Sequence, residues 1–413
     1  MEFEPLVITE AARGGCADRI GMAKLAKRAF DGENLRPLCG KLVKKLLDGS
    51  ADAGEGLDLS LIAQLLGDKQ LGLNVQHDVL LSHQLYRLPC ASSNPRLRVL
   101  ALAAATDMGS NTPIEFLLED SDIELMVLYV VGSAGLPAPL PDHDIAIVVA
   151  SDSDDCRDAL QEIGAVAPRW PRALLNPPQR VGNLDRDKLY RLLDGIEGLT
   201  IPATIAAARE QLAEAAALAE IASGLAFPVI VRPRGSHAGV GLAKIDDASA
   251  MRRYLDESEA REFFVSPFVD YSSADGLYRK YRVVFVDGKP YACHMAIADR
   301  WDIWYLNAGM SGDANKRLEE ATFMSTFDIG FGRRHRTALE AMAARLGLDY
   351  FLVDCAETKH GALLIFEADN TAVVHNMDPP GIFPYKPPQM RKIFDAFAAM
   401  LERRVAQMQE RAA

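Results

Sequence analysis

The chain has 413 residues, room for about two to four domains of ordinary size. Hydrophobic residues make up 49% and charged residues 25%, an ordinary globular mix, and 45 Lys and Arg against 57 Asp and Glu leave a net charge of −12. That balance argues against broad capture of a nucleic-acid backbone, although a local basic cleft stays open, and no apolar run approaches the roughly 20 residues that span a bilayer.

The first residues, MEFEPLVITEAARGGCADR, are acidic at once and carry no long apolar core, so they do not read as a secretory signal. Six cysteines (Cys16, Cys39, Cys90, Cys156, Cys293, Cys355) lie scattered, with no CxxC pair. Neither a zinc site nor a disulfide framework is expected, and a reduced cytoplasmic setting suits them. Neither a nucleic acid nor a membrane is expected as a partner.

Residues 1–94 read as a helical module. Apolar positions recur at threes and fours in MAKLAKR, LVKKLLDG and LDLSLIAQLLGD, and glycines break these segments. PCASSNP (89–95) reads as a linker. Residues 95–183 change texture. The apolar runs Arg98–Ala105, Ile123–Val131 and Ile145–Val149, with a helix over Asp155–Ile163, predict a small α/β domain around a doubly wound parallel sheet. Alanines 103–105 are poor strand formers within the first run.

Residues 184–413 form the third region. A helix is expected over Asp185–Leu193 and a second, rich in alanine and glutamate, over Ile205–Ser223. Strands are expected at Val229–Arg232, Phe263–Ser266, Arg282–Val286, Tyr291–Ile297, Tyr350–Asp354 and Leu363–Glu367. Asp287-Gly288 signals a hairpin. An amphipathic helix closes the chain over Gln389–Arg411.

Three stretches carry chemistry. In FPVIVRPRGSHAGVGLAKI a strand ends at Arg232, and a loop with Gly235, Ser236, Gly239 and Gly241 follows. Such a loop turns backbone N–H groups toward an anion, with Arg232 and the Ser236 hydroxyl beside it. Neither GxGxxG nor GxxxxGK[ST] is present, and read alone the stretch is equally a glycine-rich hairpin. In YFLVDCAETKHGALLIFEADN, Asp354 and Glu367 end two strands joined by a short turn, with Asp369 and Asn370 just beyond. Oxygen ligands converging there suit magnesium held by carboxylates and nucleotide phosphates. In FFVSPFVDYSSADGLYRKYR an apolar strand runs to Asp270, and a loop leads to Lys280 and Arg282. Arg282 suits the charge on a transferring phosphoryl or acyl oxygen.

In this order, from about Arg98 to the C-terminus, the stretches resemble the ATP-grasp superfamily of carboxylate–amine ligases, with the tail-modifying glutamate ligases and D-alanine–D-alanine ligases as the nearest analogies. LNPPQRVGNLDRDKLYRLL (175–193) looks like the helix that opens the nucleotide domain, and LTIPAT (199–204) like the strand and Pro-Thr after it, with an alanine interposed. The resemblance implies an α/β and α+β protein: a helical N-terminal module, a small pre-ATP-grasp domain and a two-subdomain ATP-grasp fold. It implies ATP with Mg2+ (or Mn2+), and a carboxylate activated as an acyl-phosphate for attack by an amine. An amino acid such as glutamate, added to a metabolite or peptide, fits that scheme.

Residue by residue, the resemblance gives Lys188 and Arg232 to the ATP phosphates. It gives Gly235, Ser236, Gly239 and Gly241 to the loop closing over them, and Val265 to Phe268 to the adenine-binding hinge. Asp270 falls to the ribose and Arg282 to the reaction intermediates. Asp354, Glu367 and either Asp369 or Asn370 match the metal ligands. Two departures stand out: arginine replaces the usual lysine at 232, and Glu-Ala-Asp replaces Glu-x-Asn at 367–369. Two alternatives remain beside the ligase: a phosphotransferase on the same fold, and a non-catalytic nucleotide-binding scaffold. Dimerisation is common among relatives, and a helical N-terminus suits a protein partner. The aromatic and basic loop of Arg300, Trp301 and Trp304 is a candidate frame for an organic acid or amine. His294 and His375 read as core or surface histidines, and the Arg333–Arg336 run as a solvated turn.

Overall fold

The computed structural model describes residues 15–412 apart from 133–134, 138, 215–224, 237–238 and 372. Among them no helix is long and apolar enough to cross a membrane.

The N-terminal part runs β1 (Ala17–Asp18), α1 (Met22–Phe30), α2 (Arg36–Leu47), α3 (Ala53–Leu65), α4 (Lys69–Leu80) and β2 (Leu85–Arg87). Asp52 and Glu55 form a reciprocal capping box that starts α3. This helix is buried along nearly its whole length. Gly54 runs so close to β1 that a Cβ there would overlap the carbonyl oxygen of Asp18. Gly72 brings α4 down onto Ser60 and Gln64 of α3 in the same way. Asp58 is buried in the middle of α3. It accepts from the backbone N–H groups of Ile20 and Gly21 (2.6 and 3.2 Å) and pairs with Arg19 at 3.2 Å. The buried charge is thus neutralised by the segment it anchors.

β3 (Leu97–Ala104), β4 (Ile123–Val130), β5 (Ile145–Val148) and β6 (Ala173–Leu175) follow, with α5 (Arg157–Val166) between the last two. They form the parallel centre of a six-stranded sheet ordered β1-β2-β4-β3-β5-β6. The N-terminal part is therefore not purely helical. Its two short strands, too brief to show a period, complete one edge of this sheet, β2 antiparallel to β4. Ala103 and Ala104 stay in β3 because pairing with β4 and full burial override their weak strand propensity.

Next come α6 (Pro178–Val181), α7 (Arg186–Leu193), β7 (Leu199–Thr200), β8 (Ile205–Ala208), α8 (Arg209–Glu214), β9 (Val229–Pro233), β10 (Ala243–Ile245), α9 (Ala248–Glu257) and β11 (Glu262–Pro267). The helix expected over Ile205–Ser223 is corrected at its start. Residues 205–208 pair antiparallel with β11 and bury Ala207, so tertiary pairing outweighs alanine's helix preference. Helix begins only at Arg209, and residues 215–223 of that expectation lie outside the described residues. These strands make a four-stranded sheet, β10-β9-β11-β8.

The remaining elements are β12 (Tyr278–Val286), β13 (Lys289–Ala298), α10 (Ala314–Ser325), α11 (Phe331–Arg334), α12 (Arg336–Leu346), β14 (Tyr350–Glu357), β15 (Leu363–Asp369) and α13 (Lys386–Ala412). A five-stranded sheet, β13-β12-β14-β15-β7, results. Asp287 and Gly288 turn its hairpin with φ of 52° and 76°, the double positive φ of a type I′ turn. α13 buries Ile393, Phe397, Met400 and Leu401 in the main core, and Arg404 bridges Asp287 and Asp349 at 2.7 and 2.8 Å. The fully buried Asn176, just after β6, clamps the first sheet to β14. It donates to the carbonyl of Tyr350 (2.7 Å) and accepts from the N–H groups of Asp349 and Tyr350 (2.8 and 3.1 Å).

Candidate active site

The register of the five-stranded sheet lines up one row of side chains. His294 on β13 lies opposite Arg282 on β12, Arg282 opposite Asp354 on β14, and Asp354 opposite Glu367 on β15. Directly paired residues share a face, so all four point the same way. They look into a cavity of about 920 Å3 whose other wall comes from β9 and β11 of the four-stranded sheet.

Asp354, 1% exposed, is held by three bonds. Arg282 donates from Nε and Nη2 at 2.8 and 3.0 Å, and Lys280, two residues earlier on the same strand face, reaches it at 2.7 Å. Burial favours the neutral acid, but the two cations outweigh it and keep this carboxyl well below the usual carboxylate range. Glu367 is held likewise: burial opposes its charge, and the Arg186 guanidinium overcomes that and lowers its pKa. Asp369 has no such cation bonded to it among the described residues. It accepts from the Thr371 N–H and hydroxyl, both at 2.7 Å, and burial raises its pKa.

Arg232 is the opposite case. It is 9% exposed, bonded to Ser236, and without a carboxylate partner among the described residues. Burial, and then repulsion from Arg186, bring its pKa down to about 10. Two guanidiniums, one lacking a counter-ion, therefore face one cavity. That arrangement calls for a polyanion.

The expected site residues divide. Arg232, Gly239, Phe268, Arg282, Asp354, Glu367 and Asp369 line the cavity. Among the expected residues that do not, Lys188 turns away: its ammonium donates to the carbonyl of Gly182 (2.9 Å) and sits 3.6 Å from Asp152. Arg186 takes the cavity instead, because residues two apart on a helix point to nearly opposite sides. Val265 packs into the core of the four-stranded sheet, and the hinge residues reaching the cavity are Ser266 to Val269. The N–H of Phe268 is already given to Pro228 (3.0 Å). Asp270 pairs with Lys359 at 2.5 Å, and that bond, with those from Ser272, lowers its pKa to about 2.

Asn370 is buried away from the cavity, its amide donating to the carbonyl of Ala150 (2.9 Å). Of the two candidates for a third oxygen ligand, Asp369 is thus the one that faces the site. Gly235, Gly239 and Gly241 all have positive φ (73°, 76° and 67°), and a Cβ at Gly241 would strike the Pro233 ring. Ser236 serves as a brace, accepting from Arg232 Nε (3.2 Å) and donating to the carbonyl of Pro233 (2.8 Å).

The structure adds Arg186, Lys280, His294 and Tyr305 to the lining, together with Arg300, Trp301 and Trp304 of the candidate substrate loop. Lys280 had a readable signal, the i, i+2 spacing to Arg282 that puts both on one strand face. The signal for Arg186 was its place on the helix face opposite Lys188. No group of three or more His, Cys, Asp or Glu side chains among the described residues is disposed to hold a metal alone. Asp354, expected as a metal ligand, has its carboxylate closed by Arg282 and Lys280, whereas Glu367 and Asp369, two apart on β15, line the cavity without a bond to either of those cations. That donor set fits a magnesium ion completed by phosphate oxygens.

No family model and no curated protein matches the chain. Among solved structures, similarity extends to a RimK-domain ATP-grasp protein from Sphaerobacter thermophilus (18% identity, 73% of this chain and 99% of that one, TM-score 0.43). It extends also to D-alanine–D-alanine ligase from Bacillus anthracis complexed with ATP (12% identity, 76% and 99%, TM-score 0.46). A third is the ATP-grasp ligase PsnB complexed with a precursor peptide and AMPPNP (12% identity, 75% and 99%, TM-score 0.42).

Proposed function

We propose that the chain is an ATP-dependent carboxylate–amine ligase of the ATP-grasp type. The observation that carries this reading is the cross-strand row Arg282, Asp354 and Glu367, facing Arg232, which has no carboxylate partner among the described residues, across a cavity walled by two sheets. A triphosphate supplies the negative charge that Arg232 lacks, beside the Arg186 guanidinium already paired with Glu367, and the apolar walls at Ile230, Leu242, Phe268 and Leu364 suit a base.

The roles follow from position. Arg232 and Arg186 hold phosphate oxygens, and Gly239 lets the loop backbone approach them. Glu367 and Asp369 would hold magnesium, which supplies charge neutralisation across the phosphates. Asp354 fixes Arg282 and Lys280 as a rigid pair of donors, aimed where a carboxylate oxygen takes the γ-phosphoryl group and where an acyl carbonyl then gains charge. Amide formation releases ADP and free phosphate. The substrates are a carboxylic acid and an amine, the amine being a small molecule or a peptide.

The test is a panel of carboxylic acids and amines with MgATP, following ADP, phosphate and product mass. A ligase releases both ADP and phosphate in step with an amide, whereas a phosphotransferase releases ADP without phosphate. Glu367→Gln is expected to abolish ADP release, and retained turnover would remove the metal role.

A further inference from the structure

The row of side chains continues beyond the machinery just described. His294 stands next to Arg282 in the same register, keeps part of its surface open, and lines the cavity. Its ring packs against Tyr305 at 4.8 Å between centroids. Tyr305 is itself fixed from behind. Its hydroxyl donates toward Glu320 (3.3 Å) and accepts from Lys386, which also pairs with Asp378 at 3.0 Å. Tyr385 and the N–H of Met295 complete the shell around Glu320 at 2.5 and 3.1 Å. A buried charged network thus holds an imidazole beside the arginine assigned to the acyl group.

We propose, resting on the ligase reading, that His294 accepts a proton from the incoming amine. Other bases at the cavity wall are engaged. Asp354 is held by Arg282 and Lys280, Glu367 by Arg186, Asp302 by Arg300 and Asp107 by Lys69, while Asp369 bonds Thr371. His294 has no ion pair among the described residues.

The groups facing it are Arg282 and Lys280 on β12, Asp354 on β14, Lys386 on α13, Glu320 on α10, and Tyr305, with Cys293 beside it on β13. Burial first, then Arg282 and Lys386, keep its pKa well below the usual imidazole value, so the free ring is unprotonated, and the same cations oppose its taking a proton until their charge is offset. A bound polyphosphate offsets the neighbouring cations and raises its proton affinity when substrate is present. An ammonium must lose two protons to become an amide nitrogen. One passes to His294 and frees the lone pair that forms the C–N bond. The C–O bond to phosphate then breaks, its electron pair leaving with the phosphate, which takes the second proton as HPO4 2−.

Hydroxylamine tests this, because it is largely unprotonated at neutral pH and needs no first deprotonation. Wild type, His294→Asn and His294→Gln are given MgATP, a panel of carboxylic acids, and either hydroxylamine or amino acids as acceptor. Hydroxamate, amide and ADP are read. Amide formation at pH 7 should fall about 100-fold or more in the variants and recover toward pH 9, with hydroxamate formation nearly unchanged. Equal losses for both acceptors, or no loss of amide, overturn the proposal and leave the ligase reading intact. No hydroxamate from wild type with any acid overturns both. A second measurement needs no turnover: imidazole 15N shifts of the wild-type protein, with His294 assigned from its loss in His294→Asn. The ring should stay neutral at pH 6, and titration at or above the usual imidazole value overturns the proposal.

Discussion

Arg282 and Asp354 stand opposite each other on neighbouring strands and are joined by two nearly parallel N–H···O bonds of 2.8 and 3.0 Å. Lys280 closes the same carboxylate from one side at 2.7 Å. A buried acid is thereby kept ionised, and two cations are held still at the cavity wall. Removing the acid leaves both cations partly buried without a partner. Asp354→Ala should therefore lower the unfolding free energy by about 3–5 kcal/mol. Urea denaturation followed by circular dichroism checks it, and a loss below about 1 kcal/mol, the level of an exposed pair, would show the triad to be solvated.

Arg186 and Lys188 occupy opposite faces of α7, and only Arg186 meets the cavity. Arg186→Ala should weaken nucleotide binding at least about tenfold, the loss of one charge-assisted contact. Lys188→Ala should leave it within about twofold. Titration calorimetry with MgATP reads both, and the reverse pattern would restore the assignment drawn from sequence resemblance.

Gly54 has an ordinary negative-φ helical backbone, so its importance lies in space alone. A methyl group there collides with the carbonyl of Asp18, and Gly54→Ala should cost about 1–3 kcal/mol by overpacking. Gly276→Ala serves as a contrast, since no atom lies within 4 Å of its added Cβ and only its φ of 80° is unfavourable. A thermal melt ranking Gly54→Ala no lower than Gly276→Ala would contradict the close approach.

Burial pushes the Cys16 thiol up to about 11 and that of Cys293 up to about 12, against 9.0 unfolded. Raised folded values mean that the unfolded chain ionises first. Their contribution to stability is complete below pH 9 and is lost as pH rises from 9 through 11 to 12. The native protein should resist iodoacetamide at pH 8 at both positions and react there once unfolded. Peptide mapping reads the labelled sites, and rapid native labelling of Cys293 would place it at the surface.

Much of the architecture was legible because its signals are local. Near-continuous apolar runs marked β3, β4 and β5, since a parallel strand is buried on both faces. Asp287-Gly288 marked its hairpin through the positive φ that both residues adopt. The alanine-rich stretch at 205 misled. Its first residues are drawn into pairing with Phe263 and Val265, more than fifty positions away. β1 and β2 are too short for a period to show.

The sequence by itself determined which chemical groups are available: Asp354 on β14, Glu367 and Asp369 on β15, Arg232 on β9 and the glycines beyond it. Only the tertiary structure decided which of them meet. Register placed His294, Arg282, Asp354 and Glu367 in one row, and helix phase chose Arg186 over Lys188. Burial tied Asn370 to the carbonyl of Ala150 and left Asp369 facing the cavity. The physical reason is one of range. Propensity and periodicity act over a few residues, whereas which way a side chain faces at a site depends on pairings between strands about 70 residues apart, such as Arg282 with Asp354.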